Sequence, residues 1–234
     1  MWQDSAAVSS MLTNGDAVPS LRVGILLDGT DMPAWRAETI RRIARTDGVE
    51  IVVLVQPHRV ASPQPKRRDL GGLLWRAYLR NLTNMKRSRS SWVMRPDSIA
   101  TEMAGVPRIA ARPLPVGRFR ERLSDESIAE LRRYRPDVLL RFAFGILTGE
   151  VLTLPTYGMW SFHFGDEERY RGGPAAFWEV YEATDTVGGI LQRLTERLDA
   201  GVVLRKGLVS VSQTSYQQTW DATHEQALDW PAEV

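Results

Sequence analysis

The sequence predicts an α/β protein with a doubly wound, mostly parallel sheet. Two observations support this fold class: short apolar runs recur along the chain, and segments with helical spacing separate them. The first unit is complete, with apolar strands over 21–29 (LRVGILLDG) and 49–57 (VEIVVLVQP) and the helical segment AWRAETIRRIAR between them. Such a unit forms a right-handed crossover between parallel strands. A length of 234 residues fits one domain of this kind with short additions.

The middle of the chain continues the alternation. Residues 71–82 (GGLLWRAYLRNL) are predicted as a helix, and 107–114 hold a third strand. The segment SDESIAELRRYRPD is predicted as a helix that begins after Ser124, because Ser124 can cap its N-terminus while acids occupy its first turn and arginines its last. A fourth strand follows over 136–145 (PDVLLRFAFG), and 145–155 form a short helix.

The C-terminal half completes the predicted sheet. TYGMWSFHFG (156–165) is the fifth strand, and GPAAFWEVYEATD is a helix with Phe177 and Tyr181 facing the sheet. Two further strands flank a turn at 198–201. In such a fold the ligand crevice lies at the carboxyl ends of the strands.

Composition limits the cellular setting. An apolar fraction of 43% and a charged fraction of 25% are ordinary for a globular protein. The chain has no cysteine, which excludes disulfides, thiolate nucleophiles and Cys-ligated zinc and suits the cytoplasm. No apolar run is long enough to span a bilayer, and residues 1–20 lack the features of a signal peptide. We expect a cytoplasmic protein with no membrane association. The predicted organisation is a disordered leader at 1–20, a domain over 21–210 and a tail at 211–234. The tail is also compatible with a chain that is part of a longer protein.

Positive charge is concentrated in one segment. Residues 57–120 form a basic insertion with fourteen Lys and Arg against three acids, although the whole chain has a formal charge of only +2. A solvated face is the ordinary interpretation of such a run. The alternative is an anion-binding rim for a phosphorylated substrate, a polyanionic cofactor tail or RNA. Nothing in the segment has the spacing of a nucleic-acid module, so a nucleic-acid partner is not expected.

Three short motifs indicate chemistry. A strand ends at SFHFG around His163, a turn reads YRGGP, and a later loop reads RLDAG around Asp199. A histidine between two phenylalanines is, by itself, most often a packed strand residue, and LDAG by itself is most often a turn. The order and spacing of the three motifs after PDVLLRFAFG, however, resemble the formyltransferase family, which includes glycinamide ribonucleotide transformylase, methionyl-tRNA formyltransferase and the sugar N-formyltransferases. The resemblance covers 22–209 in layout and is specific over 136–204, and it implies a Rossmann-like formyltransferase fold.

The resemblance implies a reaction and three catalytic positions. Such enzymes transfer a formyl group from 10-formyltetrahydrofolate to an amine, using an Asn-x-His pair and a later Asp. His163 matches the histidine and Asp199 matches the aspartate, whereas Ser161 stands where the family has asparagine. The tetrahedral oxyanion of acyl transfer needs hydrogen-bond donors, and the loss of one donor costs about 100- to 1000-fold in turnover. Ser161 therefore makes this an atypical active site.

The resemblance also implies binding residues. The pterin of the folate would lie on two loops, and the candidate residues are Phe142, Ala143, Phe144, Gly145, Ile146, Leu147, Leu198 and Gly201. Candidate contacts to the acceptor substrate are Asp166, Arg171, Gly172 and Gly173, and no metal site is expected.

Two functions of different classes remain open from the sequence. The first is a formyltransferase acting on a small anionic amine, such as an amino sugar or a nucleotide-linked sugar, with a homodimer as a further expectation. The second is a formyltransferase-like binding module, or a domain that uses another acyl donor, which Ser161 motivates. The acceptor and the oligomeric state are not specified by the sequence.

Overall fold

The computed structural model describes residues 20–58, 91–170 and 174–234. The predicted leader before residue 20 and the predicted helix over 71–82 lie outside these described residues. The described strands are β1 Leu21–Leu26, β2 Asp31–Pro33, β3 Val49–Pro57, β4 Pro96–Ser98, β5 Arg108–Ala111, β6 Pro113–Val116, β7 Arg120–Leu123, β8 Val138–Arg141, β9 Ile146–Leu147, β10 Met159–Phe164, β11 Thr186–Arg193 and β12 Val202–Ser210. The described helices are α1 Ala34–Ala44, α2 Asp125–Arg133, α3 Phe177–Tyr181, α4 Tyr216–Glu225 and α5 Trp230–Glu233, with a 3-10 turn at Glu150–Leu152.

A seven-stranded sheet forms the centre of the described residues, in the order β12-β11-β10-β8-β1-β3-β5. All neighbours from β10 to β5 are parallel, and β11 and β12 add an antiparallel hairpin at one edge. This confirms the predicted mostly parallel fold class. From β1 the chain moves outward through β3 and β5, and from β8 it moves the other way through β10. The strand order thus reverses between β1 and β8, and ligand crevices of open α/β sheets form at such a switch point.

Both faces of the sheet are covered, as the continuous apolar strands require. On one face, Ile25 and Leu140 pack with Ile40 of α1 and Trp230 of α5. On the other, Leu139 and Met159 pack with residues of α2, including Leu131, which is fully buried. Burial of this apolar surface on two faces, at roughly 25 cal/mol per Å², supplies most of the stability of the sheet.

Several predicted elements match the structure. The strands β3 and β10 begin and end close to the predicted limits, and α2 is capped by the Ser124 side chain, which accepts a hydrogen bond from the Ser127 amide. The helix expected over 145–155 is shorter than predicted: Ile146–Leu147 pair with β7, and only the 3-10 turn follows.

The predicted orientation of α3 is wrong. The side chain of Tyr181 is 74% exposed instead of facing the sheet, whereas Glu179 is buried. The helix has only five residues and begins after Ala176, which has a left-handed backbone with φ of 60°. The Glu179 carboxylate turns inward because it accepts the backbone N–H of Asp166 at 3.2 Å.

The segment after residue 210 is part of the same core. Trp230 packs in the cluster between the sheet and α1, and the Ser215 side chain caps α4 by accepting the Gln218 amide. Residues 216–233 therefore form two helices on the sheet. Among the described residues, none of the helices has the length and apolarity that a membrane crossing requires.

Candidate functional site

His163 lies near the carboxyl end of β10, where the sequence places it. Its Nε2 is 3.1 Å from the carbonyl oxygen of Tyr170. A carbonyl oxygen can only accept a hydrogen bond, so Nε2 carries a proton in this arrangement and donates it to Tyr170. The second ring nitrogen, Nδ1, is then the atom available for proton transfer.

The turn after β10 fixes the imidazole of His163. Gly165 has φ of 143°, and a Cβ added there would lie 3.3 Å from the Tyr170 carbonyl oxygen and 3.5 Å from His163 Nε2. The Tyr170 amide donates to the Asp166 carbonyl at 2.6 Å, and the Tyr170 hydroxyl donates to Glu182 at 2.5 Å, which raises the pKa of Tyr170. Glycine thus allows the chain to fold back closely enough for Tyr170 to orient the histidine.

His163 and Asp199 line the same cleft, which we call the first cleft. Its volume is about 180 Å³. Its walls combine charged groups with apolar ones, and they come from β7, the ends of β8 and β10, β9, and β11 with the loop that follows it. The lining residues are Arg120, Arg141, Ile146, Leu147, Phe162, His163, Gln192, Leu194, Thr195, Glu196, Arg197, Leu198, Asp199 and Gly201. The structure therefore brings together two of the three predicted catalytic residues.

The loop that carries Asp199 is held in place by specific bonds. Asp199 has a left-handed backbone with φ of 55°, a conformation that Asp and Asn tolerate better than other residues with a side chain. The Thr195 hydroxyl bonds to the carbonyls of Arg197 and Ala200 at 3.1 and 3.0 Å. A Cβ at Gly201 would lie 3.0 Å from the backbone carbonyl oxygen of Arg193, so glycine favours the close approach of this loop to β11.

A glutamate joins the two loops that the sequence assigns to the folate. Glu196, in the Asp199 loop, accepts the backbone N–H of Gly149 at 2.6 Å and also bonds to the hydroxyl of Thr148. Both partners follow directly after β9. The two loops are thereby tied to each other across the first cleft.

Ser161 occupies a different position from the other two predicted catalytic residues. It is only 3% exposed, and its Oγ accepts a hydrogen bond from Arg141 Nη2 at 3.1 Å. The two residues are register partners on the parallel strands β8 and β10, and Gln192 of β11 is the partner on the other side. Ser161 lines a neighbouring cleft instead of the first one.

That neighbouring cleft, the second cleft, has a volume of about 310 Å³ and lies beside the switch point of the sheet. Aromatic side chains form most of its wall, together with two arginines. The lining residues are Pro33, Trp35, Arg36, Met94, Arg141, Phe142, Ser161, Phe162, Phe164, Trp220 and His224. Arg141 and Phe162 border both clefts, so the two spaces are adjacent.

The predicted folate residues divide among three places. Ile146, Leu147, Leu198 and Gly201 line the first cleft. Phe142 lines the second cleft. Ala143 is buried, Phe144 packs against the core with φ of 69°, and Gly145 is exposed, its amide bonded to Glu121.

Of the predicted acceptor residues, Asp166 is described, and it is not among the lining residues of either cleft. Asp166 accepts the Glu168 amide at 3.1 Å, and its Oδ1 lies 3.7 Å from Lys206 Nζ. Arg171, Gly172 and Gly173 lie outside the described residues. No group of three or more His, Asp and Glu side chains within the described ranges could hold a metal ion.

The sequence predicts Phe142 and Ser161 as site residues, but it does not predict the second cleft or the other residues that line it. Arg36 is one of several arginines on α1, and Trp220 and His224 lie in the segment interpreted as a tail. Helical spacing indicates only that Trp35 faces the core. The sequence carries no signal that places Arg36 beside the end of β8, because that contact depends on the crossover of α1 over the sheet.

Known proteins resemble this chain in sequence and in fold, although no model of a protein family matches it. A methionyl-tRNA formyltransferase of Xanthomonas campestris pv. campestris is 34% identical over 126 residues, which are 53% of this chain and 40% of that protein. A methionyl-tRNA formyltransferase of Xylella fastidiosa is 37% identical over 111 residues, which are 46% of this chain and 36% of that protein. The chain thus spans less than half the length of these relatives.

Solved structures extend the similarity to most of the chain. A phosphoribosylglycinamide formyltransferase from Brucella melitensis has a TM-score of 0.55 at 17% identity, covering 92% of this chain and 95% of that one. A formyltetrahydrofolate deformylase from Pseudomonas syringae pv. tomato has a TM-score of 0.55 at 14% identity, covering 89% of this chain and 57% of that one. At these identities the likeness concerns the fold alone.

Proposed function

Because the chain is related in sequence to folate-dependent formyltransferases over about half of its length and shares their fold, we propose that it transfers a formyl group from 10-formyltetrahydrofolate to the amine of a small anionic acceptor. The observation that carries the proposal is the first cleft, whose lining includes both His163 and Asp199. Both residues stand at the positions that the sequence resemblance assigns to catalysis.

The reaction requires one bond to form and another to break. The acceptor amine attacks the formyl carbon, which forms a carbon–nitrogen bond and places negative charge on the formyl oxygen. Collapse of this tetrahedral intermediate breaks the bond to the folate nitrogen. The former amine loses one proton, and the folate nitrogen gains one, so the exchange is balanced without any further reactant.

His163 is the proposed proton carrier. Because Nε2 donates to the Tyr170 carbonyl, Nδ1 is the nitrogen that exchanges a proton or, when the ring is charged, donates to the developing oxyanion. Asp199 is the proposed carboxylate partner of His163, because both residues line the same cleft. Asp199 can also order a water molecule that relays the proton to the folate nitrogen.

The first cleft fits one end of the proposed cosubstrate. Ligand sites commonly measure about 300–1,000 Å³, so a space of about 180 Å³ takes a single ring system while the rest of the ligand extends outward. The apolar side chains of Ile146, Leu147 and Leu198 offer surfaces for a flat ring. The backbone of the two loops offers hydrogen bonds to its edge.

The proposal is tested by incubating the purified chain with 10-formyltetrahydrofolate and separate groups of amines: amino sugars, their phosphates, nucleotide-linked amino sugars and methionyl-tRNA. Release of tetrahydrofolate and a formylated product in a small-molecule group would support it. A product only with methionyl-tRNA would contradict the small acceptor, and release of formate without product would indicate hydrolysis. Folate binding without turnover in any group would favour the alternative of a binding module.

A further inference from the structure

The second cleft contains two arginines that make no hydrogen bond to a carboxylate of the described residues. Arg36 comes from the first turn of α1, and Arg141 comes from the carboxyl end of β8. Within the described residues, the Nε atom of each is buried and has no hydrogen-bond partner. A buried polar group without a partner is costly, and a buried cation is more so.

The contacts that these two guanidinium groups do make are with neutral groups. Arg141 donates to the Gly145 carbonyl at 2.8 Å and to Ser161 Oγ at 3.1 Å. The guanidinium carbon of Arg36 lies 5.4 Å from the ring centre of Trp35 and 5.9 Å from that of Phe142. Cation–π contacts of this kind orient a guanidinium while they leave its N–H groups to bind an acceptor.

The electrostatic state of both groups indicates uncompensated charge. Burial lowers the pKa of Arg36, and the attraction of Asp28 does not offset it. Burial also lowers the pKa of Arg141 against the attraction of Glu121, and the positive charge of Arg36 lowers it further. Each guanidinium therefore lies in a setting where a nearby anion would be stabilised.

Other arginines of α1 show that this arrangement is particular to the cleft. Arg41 makes ion pairs with Asp97 at 2.7 Å and with Glu102 at 2.8 Å, and these bonds raise its pKa above the ordinary value. Arg42 pairs with Glu38 at 3.0 Å. Arg36 lies on the same helix and faces aromatic rings and a second arginine instead.

We infer that the second cleft is an oxyanion-binding site in which Arg36 and Arg141 together hold a phosphate group of the acceptor substrate. A phosphate monoester carries between one and two negative charges near neutral pH and offers three acceptor oxygens, which suits two guanidinium groups better than a single carboxylate does. The switch point between β1 and β8 is also where a ligand of this fold class is expected.

The position of the cleft relates the phosphate to the reacting amine. Arg141 and Phe162 border both clefts, so an acceptor whose phosphate lies in the second cleft can extend past these two residues toward the cleft that His163 lines. The assignment of this anion to the acceptor rests on the proposed function. The existence of an anion site in the second cleft does not depend on the proposed function.

A direct binding measurement tests the anion site independently of the proposed formyl transfer. Isothermal titration of the full chain with inorganic phosphate, and separately with γ-glutamyl-glutamate as a stand-in for a folate tail, is expected to show saturable phosphate binding. Arg36→Gln should weaken it at least about tenfold, because hydrogen bonds to charged groups are the strong ones. Arg45→Gln, on an exposed residue just after α1, removes the same charge and should change the affinity less than about twofold.

Three results would overturn the inference: no saturable phosphate binding, equal weakening by Arg36→Gln and Arg45→Gln, or tighter binding of the glutamyl peptide than of phosphate. The side chain of Arg36 makes no hydrogen bond in the described part of the chain, so Arg36→Gln is expected to fold, and thermal unfolding without phosphate checks this. If phosphate binds as expected while no formyl transfer is found, the proposed function fails and the anion site stands.

Discussion

Arg141 donates a hydrogen bond to Ser161 across the parallel strands β8 and β10, where the two residues are register partners. Ser161, which the sequence resemblance matches to an asparagine, is a buried serine bonded to a guanidinium. The guanidinium of Arg141 is a charged hydrogen-bond donor beside Ser161, and Arg141 borders both clefts. The hydrogen bond predicts that a substitution at Ser161 also changes the setting of the Arg141 guanidinium.

Replacement of Ser161 by asparagine tests this coupling. Ser161 is almost fully buried, and the longer amide would enter the space of the Arg141 guanidinium. We expect Ser161→Asn to lower the free energy of unfolding by about 1–3 kcal/mol, as overpacking does, and to lower formyl transfer. The double variant with Arg141→Ala should recover part of the lost stability, because it provides room. Strictly additive effects in urea unfolding would contradict a direct contact.

Removal of the His163 ring should abolish most of the activity. We expect His163→Ala to reduce kcat by about 100- to 10,000-fold, the range for loss of a general acid or base, with folate binding largely retained. His58→Ala is the matched control, since His58 is exposed at the end of β3 and only its backbone makes a described hydrogen bond. Steady-state kinetics with equal loss in both variants would show that the effect does not arise at the first cleft.

Neutralisation of Asp199 should affect chemistry and leave the loop intact. Asn is among the residues that adopt the left-handed backbone seen at Asp199 most readily, so Asp199→Asn retains the turn. We expect an unfolding midpoint within about 2 °C of the parent chain, since exposed substitutions change stability by at most about 0.5 kcal/mol. The kcat should fall by at least about tenfold. Unchanged turnover would remove Asp199 from the proposed mechanism.

The parts of this fold that the sequence predicts are those with a local cause. The strands β1, β3 and β10 are apolar runs with clear ends, and Ser124 caps α2 as its position before two acids indicates. The orientation of α3 has no such local cause. Glu179 turns inward because the Asp166 amide, thirteen residues earlier, requires an acceptor.

The residues of the candidate site also divide into those that a local motif predicts and those that only the fold brings together. His163 and Asp199 follow from motifs whose spacing is visible in one sequence, and the structure places both in the first cleft. The bond between Ser161 and Arg141 depends on the register of two strands, and the exposure of Arg36 to the second cleft depends on the path of α1. Neither is encoded in the spacing of neighbouring residues, so both appear only in three dimensions.

The pH dependence of stability should include a contribution from Asp221. Burial raises the pKa of this α4 carboxyl group, although Ser91 and Gln217 each donate a hydrogen bond to its Oδ1 at 2.7 Å. The folded state then binds a proton more tightly than the unfolded state, whose carboxyl has a pKa of about 3.9. The free energy of unfolding therefore contains a term that falls as pH rises from about 4 through the raised pKa.

Asp221→Asn removes that term and keeps an Oδ1 that accepts both hydrogen bonds. We expect the variant to unfold at a higher temperature than the parent chain at pH 7, and the difference to vanish below about pH 4, where the carboxyl is protonated in both states. Asp47→Asn removes the same charge from an exposed loop and should show no such pH-dependent gain. Thermal unfolding of the three proteins between about pH 3.5 and 8 measures this, since that interval spans the carboxyl titration. If Asp221→Asn still unfolded at a higher temperature than the parent chain at the lowest pH, the amide would stabilise the fold through packing. The buried charge of Asp221 would then carry no penalty.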